Sequence, residues 1–169
     1  MEASDSLFFV NKTRSIYFLT LLGIIVWIAA AFAAPYLKSQ SSAYGNLIYA
    51  IFSPTCHQIS SRCLTLYGNP LAVCTRCLGI YIGFFLGTCL FPVLRGLSSE
   101  SLPKAKILIL MSLPIVIDTA ANVVSLWTSL HWLRLATGVT WGAVLPFYFI
   151  PGVTDIFKKV ELSDKKTIE

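Results

Sequence analysis

Charge is what this 169-residue sequence has least of: Asp, Glu, Lys and Arg make up 12% of it, and only eight residues are acidic. A water-soluble domain carries about a quarter charged residues. Too little polar surface is available to cover a soluble globule, which excludes a soluble enzyme. The sequence also lacks periodic glycine and sustained heptads, so collagen-like and coiled-coil architectures fall. Disorder falls as well, because 56% of the residues are apolar. What is present is a mean hydropathy of +0.72 and a length that suits one domain. These features describe a small polytopic membrane protein, all-α, built as one helical bundle.

The few charges punctuate the chain and delimit its spans. Residues 15–37 are uncharged throughout, longer than the ~20 residues that cross a bilayer core as a helix. A second run covers about 71–94, interrupted only by Arg76, and residues 107–154 contain two charges, Asp118 and Arg134. The last stretch accommodates two helices and a tight turn near Trp127 to His131. Four transmembrane helices are therefore expected, at about 15–37, 71–94, 107–126 and 131–150. An uncharged segment at about 43–53, with Tyr44, Tyr49 and Phe52, reads as a short interfacial helix with aromatic anchors. A loop at 54–70 follows, ending in the turn-like Tyr67-Gly68-Asn69-Pro70. The charged tail beyond Gly152 is expected to be frayed.

Basic residues set the expected orientation. Nine of the thirteen lie in the two tails and in the connection after the second span. Lys38, Arg62, Arg76 and Arg134 lie toward the other side. The positive-inside rule then places both termini in the cytoplasm and the loop outside, in a prokaryotic cell membrane. Topology explains the basic balance, so it gives no argument for nucleic acid as a partner; the lipid bilayer is the expected one. Ala31-Phe32-Ala33 after an apolar run also fits a signal-peptide cleavage site, although the run is long for one.

Chemistry concentrates on the expected outer side. Cys56-His57, Cys63 and the Cys74-x-x-Cys77 pair fall within 22 residues. If the second helix has begun by Cys74, the CxxC thiols lie about 60° apart on one face. Thiolates so placed converge on a tetrahedral ion at ~2.3 Å, zinc being the expected metal. Cys56, His57, Cys74 and Cys77 form the expected ligand set, with Cys63 able to replace His57. Two other chemistries use the same residues. A CxxC at a helix start has an acidified thiol suited to disulfide exchange through Cys74 and Cys77. Outside the cytosol, paired cysteines also form structural disulfides in a non-catalytic assembly protein. Cys89, deep in the second span, is expected to be an ordinary buried residue.

Ionisable residues within spans are costly and point to the bundle interior. Asp118, Arg76 and Arg134 are all placed in the outer half of the membrane, with Asn122 one turn beyond Asp118. An ion pair between Asp118 and either arginine is expected, as a structural clamp or as part of a catalytic pocket. In the latter, Asp118 serves as base or extra ligand, and Arg76 and Arg134 hold an anionic, lipid-like substrate. His131 lies at the mouth of the fourth helix. Gly79, Gly83 and Gly87 form a stripe matched by Gly138 and Gly142, which invites close packing of helices two and four or of two copies in a homo-oligomer.

CHQISSRC followed by GNPLAVCTRCLGIYIG resembles the signature of a widespread family of small predicted membrane proteins known only as a domain of unknown function. The later aspartate and Arg134-Leu135-Ala136-Thr137-Gly138 are similar to further parts of its pattern. The resemblance covers roughly residues 50–150. It implies Cys56, His57, Gln58, Arg62, Cys74, Arg76, Cys77, Gly79, Tyr81, Asp118, Arg134 and Gly138 as site residues, and implies no activity. Cys63 departs from the pattern, which leads one to expect serine there. A four-helix bundle with an outward CxxC is also similar to the vitamin K epoxide reductase and disulfide-bond-forming membrane families. That analogy implies a quinone as cofactor for the redox alternative.

Overall fold

The structure, a computed structural model, describes residues 2–96, 102–124 and 130–168. Six helices and one hairpin follow in chain order: α1 (Glu2–Ser39), α2 (Ala43–Phe52), β1 (Cys63–Leu66), β2 (Asn69–Cys74), α3 (Thr75–Arg95), α4 (Ala105–Val123), α5 (His131–Val144) and α6 (Pro146–Ile168). Four helical stretches are long and apolar enough to cross a membrane: Thr13–Ser39, Thr75–Arg95, Ala105–Val123 and His131–Phe157. They correspond to the four expected spans. The turn expected near Trp127 lies largely outside the described residues; His131 begins α5.

Three details differ from expectation. The chain is not purely helical, because residues 69–74 pair with 63–66 as an antiparallel hairpin. Tyr67 and Gly68 both have positive φ, 51° and 76°, the geometry of a two-residue turn whose twist matches that of the flanking strands. Consequently the second span starts at Thr75, with Cys74 as its N-cap. Apolar content alone does not distinguish a buried strand such as Leu71-Ala72-Val73 from a helix start. Second, the C-terminal tail is helical to Ile168 rather than frayed. Third, Cys89 is exposed on α3 rather than buried in a core.

The bundle is held by two different devices. Along α3 and α5 the backbones touch. A Cβ on Gly79 would overlap the Leu135 carbonyl oxygen, and one on Gly138 the Arg76 carbonyl oxygen. Gly83, Gly87 and Gly142 meet backbone atoms of the opposing helix in the same way. Small residues at four-residue spacing permit this approach, and in lipid such packing drives helix association. The glycine stripes thus meet each other within the chain, the first of the two alternatives that their spacing left open. By contrast, only 6% of α4's apolar window is buried, and Ile109, Leu110, Leu113, Val116 and Ile117 face outward.

At one end, α2 folds back on the end of α1, and Phe52 inserts against Trp27 with ring centroids 4.5 Å apart. Ala31, Ala34, Phe52, Cys56, Leu71, Ala72, Val73 and Leu78 form the core there. The hairpin thus caps this end of the bundle. A second cluster, of Tyr17, Phe91 and Ile150, packs together elsewhere in the bundle.

Candidate metal centre

Cys56 is placed by the end of α2. Its amide donates to the Phe52 carbonyl at 3.0 Å, and the residue is 4% exposed. Its Sγ accepts the Cys74 amide N–H at 3.2 Å, which ties the loop to the strand-to-helix junction. Cys74 ends β2 and Cys77 sits in the first turn of α3. The sulfur atoms of Cys56, Cys74 and Cys77 all lie within 4.8 Å of one another. None of the three is in a disulfide. The strand-to-helix junction, rather than a shared helix face, brings the CxxC pair together: Cys74 approaches from the strand and Cys77 from the helix.

Several side chains hold this geometry. Gln58, at a positive φ of 52°, donates from Nε2 to the Tyr49 carbonyl at 2.7 Å. The Tyr49 hydroxyl donates in turn to the Pro70 carbonyl. Thr75 donates from Oγ1 to the Arg62 carbonyl at 3.2 Å, fixing the turn at Ser60–Arg62 to the start of α3. Spacing arguments missed Tyr49 and Thr75. Neither carries metal chemistry, and their contacts reach 21 and 13 residues along the chain.

Cys56, Cys74 and Cys77 line an open cavity of about 400 Å³, together with His57, Gln58, Arg62 and Arg76. His57 is exposed, and its nitrogens lie outside the convergent sulfur set. Cys63 is buried across the hairpin from Cys74 and likewise stands outside the triad. The Cys74 thiol is acidified by hydrogen bonds from the Cys56 and Cys77 side chains, against the opposing effect of burial. Burial pushes the Cys63 thiol up to about 12, with further contributions from the charges of Cys56 and Cys74.

The intramembrane charges form a chain beside the cavity. Arg76 pairs with Asp118, whose side chain is 3% exposed. Asn122 donates from Nδ2 to the Asp118 carbonyl at 2.6 Å and accepts from Arg134 Nη2 at 3.0 Å. Arg76 is therefore the partner that Asp118 takes, and Arg134 is linked to it through Asn122. Of these groups only Arg76 reaches the cavity wall; Asp118 and Arg134 stand behind it. The Arg76 Nε is buried and, among the described residues, has no hydrogen-bond partner. His131 is exposed at the start of α5. A second groove of about 470 Å³, lined by residues such as Ile16, Leu19, Trp27 and Phe84, is almost wholly apolar and offers no reactive group.

Residues 56–148 match the family model "Predicted membrane protein (DUF2085)". The chain belongs to this family. An uncharacterized protein of Methanocaldococcus jannaschii, MJ1492, is 30% identical over 144 residues, covering 82% of this chain and 92% of that protein. No solved structure matches the chain. The matched residues begin at Cys56 and take in the sulfur triad, the glycine contact and the Arg76–Asp118–Asn122–Arg134 chain. Membership identifies a membrane protein without bringing an activity.

Proposed function

We propose that this DUF2085 protein binds a thiophilic divalent ion, zinc foremost, through the thiolates of Cys56, Cys74 and Cys77. The convergence of three free sulfurs supports this reading. A tetrahedral ion with ~2.3 Å bonds needs neighbouring sulfurs about 3.8 Å apart, inside the 4.8 Å limit that all three meet. Three protein ligands leave a fourth position for water or substrate, as in catalytic rather than structural zinc sites. His57 lines the same cavity as the three cysteines. Three thiolates on a divalent ion would leave one net negative charge, which Arg62 in the same cavity can offset, the Arg76 charge being already paired with Asp118.

An ion held there would supply the chemistry of metal-assisted hydrolysis or group transfer, and an anionic, lipid-like substrate would suit the arginine beside it. Asp118 then acts through Arg76, holding its guanidinium at the cavity wall. We place the site on the outer face of a prokaryotic membrane, because nine of thirteen basic residues belong to the two tails and to the connection after the second span rather than to the segment that carries the cysteines. Metal analysis of the purified protein tests the reading. One equivalent of zinc, lost on Cys56→Ser, Cys74→Ser or Cys77→Ser, is expected; less than about 0.3 equivalents of any transition metal rejects a site of structural-zinc affinity.

One observation favours a second reading, thiol–disulfide exchange with a quinone through Cys74 and Cys77. Cys74 caps α3 with an acidified thiol, the environment of reactive cysteines. Thiol trapping across a redox titration separates the two, since exchange requires the Cys74–Cys77 pair to cycle and metal binding requires it to stay reduced.

A further inference from the structure

Cys63 is the sulfur the metal reading does not use, and the fold gives it a specific neighbour. Cys63 and Cys74 are strand partners at the open end of the hairpin, beyond an irregularity in register between Cys63 and Thr65. The Cys63 amide donates to the Ser60 carbonyl and the Cys74 amide to Cys56 Sγ. Neither amide is spent on the opposite residue, which is the character of a non-hydrogen-bonded pair. At such pairs the Cα atoms approach to about 4.5 Å and the side chains stand closest. A disulfide accepts Cα separations of about 4.4–6.8 Å, so the pairing of the two residues brings them into bridging range. Cys56 and Cys77 have no comparable register with Cys63.

Access divides the two roles. Cys74 lines the open cavity, whereas Cys63 is 4% exposed. A small oxidant therefore meets Cys74 first. When an ion occupies the triad, Cys56, Cys74 and Cys77 are all coordinated, and Cys63 is the uncoordinated thiol across from a ligand.

We propose that Cys63 and Cys74 form a reversible disulfide that takes Cys74 out of the ligand set and releases the ion. With a hydroperoxide as oxidant, the Cys74 thiolate attacks the O–O bond, gaining a sulfenic hydroxyl and expelling an alkoxide or hydroxide. The Cys63 thiol then attacks the Cys74 sulfur, forming the S–S bond and expelling water; sulfur loses two electrons overall and the peroxide gains them. A dithiol reductant reverses the bridge. The bridge itself stands on hairpin geometry, and only its consequence for the ion rests on the metal reading above.

The sequence makes the test direct. Trypsin cuts after Arg62 and Arg76 and at no site between them, so Cys63 and Cys74 share one peptide. Cys56 and Cys77 fall in the two flanking peptides. Full-length protein in detergent is treated with hydrogen peroxide, alkylated and digested. The expected product is the 63–76 peptide short of two hydrogen atoms and unalkylated, restored by dithiothreitol. Peptides cross-linked through Cys56 or Cys77 instead, or a 63–76 peptide that stays fully alkylated, overturn the proposal.

Zinc release measured alongside is expected to follow the bridge in time and to reverse with it. In Cys63→Ser, zinc loading is expected to be unchanged, and the reversible release to be lost. Release and recovery in Cys63→Ser equal to the parent protein overturn the link between bridge and ion. A preparation that binds no zinc yet forms the 63–76 bridge sustains the disulfide site while rejecting the metal reading, so the two failures are distinct.

Discussion

Two helices lie against α5, and they are held in opposite ways. On one side α3 meets α5 backbone to backbone through Gly79, Gly83, Gly138 and Gly142. On the other, α4 leaves most of its surface to lipid and is tied in through Asp118 and Asn122, which reach Arg76 on α3 and Arg134 on α5. Lipid tails are as apolar as leucine, so no hydrophobic drive assembles helices within the bilayer. Association must come either from extended close contact or from a few polar bonds that cannot be satisfied in hydrocarbon. The contact seam is tolerant of chemistry and intolerant of volume; the polar tie is the reverse.

That contrast predicts how each side fails. Gly79→Leu places a side chain where the Leu135 carbonyl already sits. Overpacking costs about 1–3 kcal/mol where neighbouring side chains can yield and more where they cannot; here the obstacle is backbone, so the two helices must part. This is expected to be the most damaging single change, read as loss of the folded, monodisperse protein in detergent. Asp118→Ala is next: it strands the Arg76 charge, and removing one partner of a buried pair costs about 3–5 kcal/mol. A thermal or denaturant melt checks it. Arg76→Gln combined with Asp118→Asn, which removes both charges at similar volume, is expected to recover more than half of that loss. Recovery by the double variant at the polar tie, and none by polarity changes at the glycine seam, would sharpen the distinction; the converse would break it.

Smaller effects belong to the capped end. Cys74→Ser is expected to weaken zinc binding at least about 100-fold, roughly 2.7 kcal/mol, while the metal-free protein melts within about 0.5 kcal/mol of the parent. Competition with a chelator of known affinity measures the first and a melt the second. His57→Ala is expected to change zinc affinity less than about threefold, under roughly 0.7 kcal/mol, because its ring lies outside the convergent set. An effect as large as that of Cys74→Ser would make His57 the fourth ligand.

The capped end also shows where reading residues in order stops working. Four spans were legible because runs without charge are a one-dimensional property, and Asp118 was legible as a buried, partnered residue because no lone carboxylate persists in hydrocarbon. The match of Gly79 and Gly83 to Gly138 and Gly142 was legible from spacing, since a four-residue interval is one helical face. Less visible was that Leu71-Ala72-Val73 is a strand: these residues are fully buried, and a short apolar run reads alike as buried strand or buried helix. Because that segment is a strand, Cys74 caps α3 instead of riding on it, and Cys63 becomes its cross-strand partner.

The amino-acid sequence on its own determined that the chain enters a bilayer, how often it crosses, and which residues are too polar to face lipid, because transfer from water to hydrocarbon is decided residue by residue. Tertiary structure alone decided that Asp118 takes Arg76 rather than Arg134, that three sulfurs converge while His57 and Cys63 do not, and that the glycine stripes meet within one chain. Those outcomes depend on which segments meet, and a directional bond of about 3 Å is set by the fold around it, not by the spacing of its two residues in the chain.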